Sequence, residues 1–211
     1  LAALMGVRHI EVLTHDSIGL GEDGPTHQPV ETLASLRAIP NFNVFRPADQ
    51  TETLECWQLA LERTDGPTVL CLTRQNLPAL RTTYVEENLS AGGAYELSPA
   101  KGEAQVSLFA TGSEVAIAIE AQKLLAAEGI AVRVVSMPST DVFDKQDAAW
   151  RAKVLPKGMP RVAVEAGVTA FWHKYVGLEG AVVGIDTYGE SAPAGALFKH
   201  FGLTADKVAQ A

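Results

Sequence analysis

Thr14-His15-Asp16-Ser17-Ile18-Gly19-Leu20-Gly21-Glu22-Asp23-Gly24-Pro25-Thr26-His27-Gln28-Pro29 is the stretch on which the reading of this chain turns. The apolar run Ile10-Glu11-Val12-Leu13 precedes it, and a helical pattern of Val30, Leu33, Ala34 and Arg37 follows. It therefore reads as a loop between a strand and a helix. Two histidines, two aspartates and a glutamate sit among three glycines and two prolines. Glycine lets the backbone enter φ > 0 and proline fixes φ, so the loop has a defined shape. Titratable groups on a shaped loop after a strand are the usual way an α/β fold builds a site.

Within the stretch, Gly19-Leu20-Gly21-Glu22-Asp23-Gly24 matches the G-x-G-x-x-G dinucleotide pattern. Glu22 and Asp23 argue against that reading. They set two negative charges where a pyrophosphate needs bare backbone N–H groups at a helix start.

Working outward, strands are predicted over 10–14, 43–46 and 68–72, with helices over 26–39 and from an Asp49 cap to about residue 63. Leu54, Trp57, Ala60 and Leu61 are expected on the buried face of the second helix. Thr68-Val69-Leu70-Cys71-Leu72 is a continuous apolar run of the kind found in buried parallel sheets. The β-α-β-α-β order implies right-handed crossovers, which puts His15, Arg46 and Arg74 at the carboxyl edge of one sheet, where such folds bind ligands. A guanidinium at the end of a buried strand needs an anionic partner, and a fork onto phosphate suits Arg74.

Residues 76–93 show no sustained period and carry Pro78, Asn88, Ser90, Gly92 and Gly93, the pattern of an interdomain linker. Beyond it, strands are predicted over 94–97, 105–110, 131–136, 161–165 and 181–185. Helices are expected over 114–128, 141–154, 170–176, 193–201 and 204–210. The fold class is thus α/β: two consecutive units with mainly parallel sheets, 1–75 and 94–211, the first incomplete at its N-terminus. Leu1-Ala2-Ala3-Leu4-Met5 reads as the end of a helix already under way, with Gly6 as its C-cap, so the chain is expected to be a fragment.

The longer string T-H-D-S-I-G-L-G-E-D-G-P-T-H-Q-P-V-E resembles the loop of transketolases. Leu72-Thr73-Arg74-Gln75-Asn76-Leu77-Pro78 resembles the family's S-R-Q-N-L segment, with Thr73 in place of its serine. Val164-Glu165-Ala166-Gly167 and Gly189-Glu190-Ser191-Ala192-Pro193-Ala194 resemble its C-terminal domain. The resemblance covers the end of the pyrimidine-binding domain, 1–75, and the C-terminal domain, 94–211. It implies transfer of a two-carbon ketol unit from a ketose phosphate to an aldose phosphate, with thiamine diphosphate as electron sink. His15 and Arg74 then contact substrate phosphate, Asp23 a sugar hydroxyl, and His27, as the catalytic residue, the two-carbon unit. The full-length enzyme is expected to be a cytoplasmic homodimer holding thiamine diphosphate and a divalent cation, Mg or Ca. No segment resembles the family's diphosphate and metal site, so this fragment is expected to bind no cofactor and to be inactive alone. A dihydroxyacetone synthase and a non-catalytic dimerisation module are the alternatives.

The remaining features bound the function. A 211-residue chain at -8 formal net charge and pI near 5.1 argues against non-specific nucleic-acid binding, which needs clustered Lys and Arg. Any anionic substrate must therefore be held by local positive groups. Cys56 and Cys71 offer no disulfide framework or metal spacing and suit a reducing cytosol. No apolar run is long enough to span a membrane. Thr111-Gly112-Ser113 reads as a helix cap before an anion cradle. Glu165 reads as structural or interfacial, His173 with Trp172 and Tyr175 as packing, and His9 and His200 carry no signal.

Overall fold

The computed structural model describes residues 1–211. Its first unit runs α1 (Ala2–Met5), β1 (Ile10–Thr14), α2 (Thr32–Arg37), β2 (Asn43–Phe45), α3 (Gln50–Glu62) and β3 (Thr68–Leu72). The three strands are parallel in the order β1-β3-β2, so the apolar β3 run is central. The period of two sorts its side chains. Val69 and Cys71 pack with Leu33 of α2 and Val44, while Leu70 packs on the other face with Phe45 and Cys56 of α3. β1 lies at the edge and is exposed from Glu11 to Thr14.

The second unit runs β4 (Tyr95–Ser98), β5 (Val106–Ala110), α4 (Glu114–Ala127), β6 (Val132–Ser136), α5 (Thr140–Asp144), α6 (Ala148–Val154), β7 (Arg161–Val164), α7 (His173–Val176), β8 (Ala181–Val183), α8 (Ala194–His200) and α9 (Ala205–Gln210). Its sheet has the order β4-β6-β5-β7-β8, parallel apart from the β4 edge. α4, α8 and α9 cover one face. Phe143 of α5, Val154 of α6 and the Trp172–Tyr175 pair cover the other. No helix is long and apolar enough to cross a membrane.

Three expectations are corrected. The predicted helix over 26–39 begins only at Thr32, because Pro25–His27 makes a separate 3₁₀ turn and Pro29 interrupts the N–H supply of any continuous helix. The single helix expected over 141–154 is two, since Asp147 stops one and caps the next by accepting from the Trp150 N–H. On α3 the buried stripe is Glu52, Cys56 and Ala60, while Leu54 is 71% and Leu61 55% exposed. Glu52 is buried because it accepts from the Ala48 N–H, the Tyr95 hydroxyl and the Ser136 hydroxyl, so of the four residues expected there only Ala60 lies on the buried stripe.

The segment over 76–93 is tied down on α3. Asp49 accepts the Leu80 and Arg81 N–H groups, Arg81 pairs with Glu55, and Glu55 also takes the Ser90 N–H and hydroxyl. The largest core cluster joins Ile18, Val30 and Ala48, from connecting segments of the first unit, to residues of the second unit's sheet and of α4, α8 and α9, so the first unit's loops pack into the second unit's core at the junction.

Candidate functional site

The loop after β1 is held by both units. Ser17 caps the 3₁₀ turn Ile18–Leu20. Gly21 follows at φ 103°, a left-handed conformation that a side chain would strain. Its carbonyl accepts from the Gln28 side chain at 2.8 Å and from the Ala192 N–H of the second unit at 3.3 Å. Ser191 accepts the Gly24 N–H at 3.2 Å. Gly189 lies flat on Gln28, where a Cβ would come within 2.3 Å of it. The Gly189–Ala194 segment of the second unit is therefore the backing of the first unit's loop.

An open pocket of about 800 Å³ lies beside this loop. His15, Asp23 and His27 share its wall, and Tyr188 and Glu190 of the second unit contribute to it. Asp23 and His27 are exposed and His15 is half-buried. Each histidine follows a threonine whose hydroxyl takes its Nδ1: Thr14 at 3.0 Å for His15 and Thr26 at 3.1 Å for His27. The partner of one ring nitrogen decides what the other can do, so both Nε2 atoms are left for a ligand. His15 has φ 69°, one of two non-glycine residues in the left-handed region. Such backbone strain persists only where the surroundings over-determine it, and it clusters at ligand sites.

Arg74 differs from the expectation in one respect. It lies two residues past β3, exposed, without an ion pair or hydrogen bond, and outside the pocket wall that gathers the other three. No buried anion explains it. The buried guanidinium is that of Arg46, fully enclosed at the end of β2 and turned into the junction.

Arg46 belongs to a network that the sequence reading missed. Its Nε donates to Asp16 at 2.6 Å, and its Nη1 donates to the Thr111 carbonyl at 3.0 Å and to the Glu114 carboxylate. Glu165 lies 3.6 Å from Arg46, and its two oxygens accept from Arg37 at 2.8 and 2.9 Å. Trp172 Nε1 donates to the same carboxylate at 2.7 Å. Thr111-Gly112-Ser113 leads into α4 with Ser113 at the N-cap position, but the Ser113 side chain does not cap the helix. Thr111 donates to the Arg46 carbonyl, and Gly112 lies so close that a Cβ would meet the Arg46 side chain at 2.7 Å. Burial pushes the Glu114 carboxyl up, against the pull of Arg46. Burial acts the same way on Glu165, but the charges and hydrogen bonds of Arg37 overcome it and hold that carboxyl below its ordinary value. Glu165 is thus committed to partners within the chain, in keeping with a structural or interfacial role.

The other histidines carry nothing for the pocket. His9 contacts Glu11, His173 the Gly177 carbonyl, and His200 the Phe201 ring. Both cysteines are buried and free. No group of three His, Cys, Asp or Glu side chains is arranged to hold a metal ion.

Comparison with known proteins bears on this geometry. The family model described as transketolase, pyrimidine binding domain matches residues 1–79. The transketolase-like TK C-terminal domain model matches residues 93–204. The chain is 57% identical to transketolase 1 of Escherichia coli (strain K12) over 99% of its own length and 32% of that protein. The structure of Pichia stipitis transketolase in complex with sedoheptulose-7-phosphate aligns at TM-score 0.91 and 44% identity, covering 99% of this chain and 30% of that one. A split gene transketolase chain, described as an inactive β4 tetramer, aligns at TM-score 0.76 and 28% identity over 95% of this chain and 64% of its own. The chain thus spans about a third of the curated relatives it matches.

Proposed function

The chain belongs to the transketolase family, and on that footing we propose that it is the substrate-facing third of an enzyme moving a two-carbon ketol unit from a ketose phosphate to an aldose phosphate. The observation that carries the reading is the convergence of His15, Asp23 and His27 on one pocket wall, both rings offering a free Nε2. A scaffold has no use for three hydrogen-bonding side chains aimed at solvent.

Thiamine diphosphate, when bound in the whole enzyme, supplies the electron sink that makes cleavage beside a ketone possible. We assign the diphosphate and its divalent cation, Mg or Ca, to the remainder of the enzyme. The work left to this chain is orientation. His27 hydrogen-bonds the oxygen of the two-carbon unit and holds or takes its proton at Nε2. Asp23 accepts from an acceptor hydroxyl. His15 binds the phosphate end, joined by Arg74, whose exposed guanidinium is free of any protein partner. The sugar-phosphate complex of the Pichia stipitis relative supports this substrate class. We take the whole enzyme to be a cytoplasmic homodimer. We take this chain alone to be inactive, and the inactive β4 tetramer of the split gene relative supports that second reading.

The test is acceptor selectivity in a full-length enzyme carrying this sequence. A charge-assisted hydrogen bond contributes about 1.5–3 kcal/mol, so Arg74→Ala should cut kcat/KM for phosphorylated acceptors roughly 10- to 150-fold. The loss should fall in KM, since a remote phosphate is held alike in ground and transition states. Short aldehydes without phosphate should be scarcely affected. His15→Ala should show the same selectivity with a smaller loss. Equal losses on both acceptor types would mean that these residues do not read phosphate.

A further inference from the structure

His15 and Asp16 are adjacent but face opposite ways. At His15 a φ of 69° ends the extended backbone of β1. On one side Thr14 is still in register with Leu72 of β3. On the other, the Asp16 N–H donates to the Leu72 carbonyl at 3.2 Å. The ring of His15 is left in the pocket wall and the carboxylate of Asp16 is 1% exposed in the junction.

Within the first unit, the Leu72 carbonyl accepts the Asp16 N–H and the Ser17 hydroxyl donates to the Asp16 carboxylate at 3.2 Å; its remaining tie leads through Arg46 to the second unit. Asp16 Oδ2 meets Arg46 Nε at 2.6 Å. Arg46 cannot shift, because the Thr111 carbonyl and Glu114 take its Nη1 and Gly112 closes on its side chain. Glu114 is itself fixed by the Ala166 N–H at 2.9 Å and the Ser113 hydroxyl at 2.5 Å. Glu114 is fully buried and absent from the pocket wall. A buried charged chain of this kind is neither needed for hydrophobic stability nor cheap to keep, and fixing one arrangement is its best-attested use.

We propose that Asp16, Arg46 and Glu114 form a positioning chain by which the second unit sets the aim of His15 at the phosphate end of the substrate. It rests on the reading of His15 as a phosphate contact. None of the three touches substrate; they act by making the strained backbone at His15 the only one available. The C-terminal unit thereby gains a role in specificity as well as in packing.

The experiment is acceptor kinetics of Glu114→Gln in a full-length enzyme carrying this sequence, with matched phosphorylated and unphosphorylated aldoses. The isosteric change keeps the hydrogen-bonding shape and removes the charge. KM for the phosphorylated acceptor should rise roughly three- to tenfold, the usual reach of a change acting through other residues. Values of kcat, and KM for the unphosphorylated acceptor, should stay within about twofold, inside ordinary variation at that scale. In a His15→Ala background the same substitution should cost nothing further on the phosphorylated acceptor, since the residue it aims is gone. A purely structural role would not give that non-additivity. If Glu114→Gln does not fold, Thr111→Val, which removes one hydrogen bond to the Arg46 carbonyl, is put through the same two backgrounds. Folded variants with an unchanged KM, equal losses on both acceptors, or losses that add to that of His15→Ala overturn the proposal. An unmutated enzyme without ketol transfer would instead overturn the functional reading beneath it.

Discussion

Replacing Arg37 by alanine is the most informative perturbation of the junction. The guanidinium donates through two nitrogens to Glu165, and both side chains are 2% exposed. It also lies over the Phe171 ring, 4.8 Å from its centroid. Removing one partner of a buried pair leaves a desolvated charge behind and costs about 3–5 kcal/mol. Glu165 keeps the Trp172 donor and Arg46 at 3.6 Å, which sets the expectation near the lower end. For a chain of this size 1 kcal/mol moves the unfolding midpoint by about 2–4 °C, so Arg37→Ala should lower Tm by about 6–12 °C for a loss of about 3 kcal/mol. The pH dependence has a definite sign. Glu165 is held below its ordinary value of 4.5, so the stability it contributes is fully present above that pH and lost as pH falls through the lowered value. The gap between Arg37→Ala and the parent, measured by urea unfolding at a series of pH values, should therefore narrow on the acid side. The double variant Arg37→Met/Glu165→Gln removes both charges and should recover most of the loss. A single-variant loss under about 1 kcal/mol, or a double variant no better than the single, would refute the reasoning that the pair is fully desolvated.

Two further outcomes are expected. In a full-length enzyme His27→Ala should lower kcat by roughly 10²–10⁴ while thiamine diphosphate affinity holds, and the reverse pattern in kinetics and cofactor titration would remove His27 from the reacting carbons. The 211-residue chain alone should give no heat on calorimetric titration with thiamine diphosphate and Mg²⁺, and micromolar binding would show that the cofactor site is not confined to the remainder of the enzyme.

What could be read from the sequence was whatever short-range pattern decides. β1 and β3 run over the predicted residues because an apolar run between turn residues has few other uses in a parallel sheet. His15, Asp23 and His27 could be singled out together for a similar reason, since all three lie within one turn-rich segment. The failures occurred where burial follows from a distant partner. Glu52 lies on the buried stripe of α3 because Tyr95 and Ser136, from two strands of the other sheet, donate to it. Leu54, which hydropathy would have buried, is left outside.

Arg46 and Arg74 show why the same physical rule succeeded in kind and misplaced its object. Both follow strands of one parallel sheet, and a guanidinium there does need anions. The anions of Arg46 come from Asp16 in the loop and Glu114 on α4, the latter 68 residues away, so no local pattern could assign them. Arg74, with no such partners, stays exposed, and its charge is available to something that is not protein. In an acidic chain the overall field does not draw anions in, so an exposed arginine without a protein partner is a local positive group open to an anionic ligand. The two arginines thus differ in kind: the buried one is tied into the junction, and the exposed one keeps its charge free of protein partners.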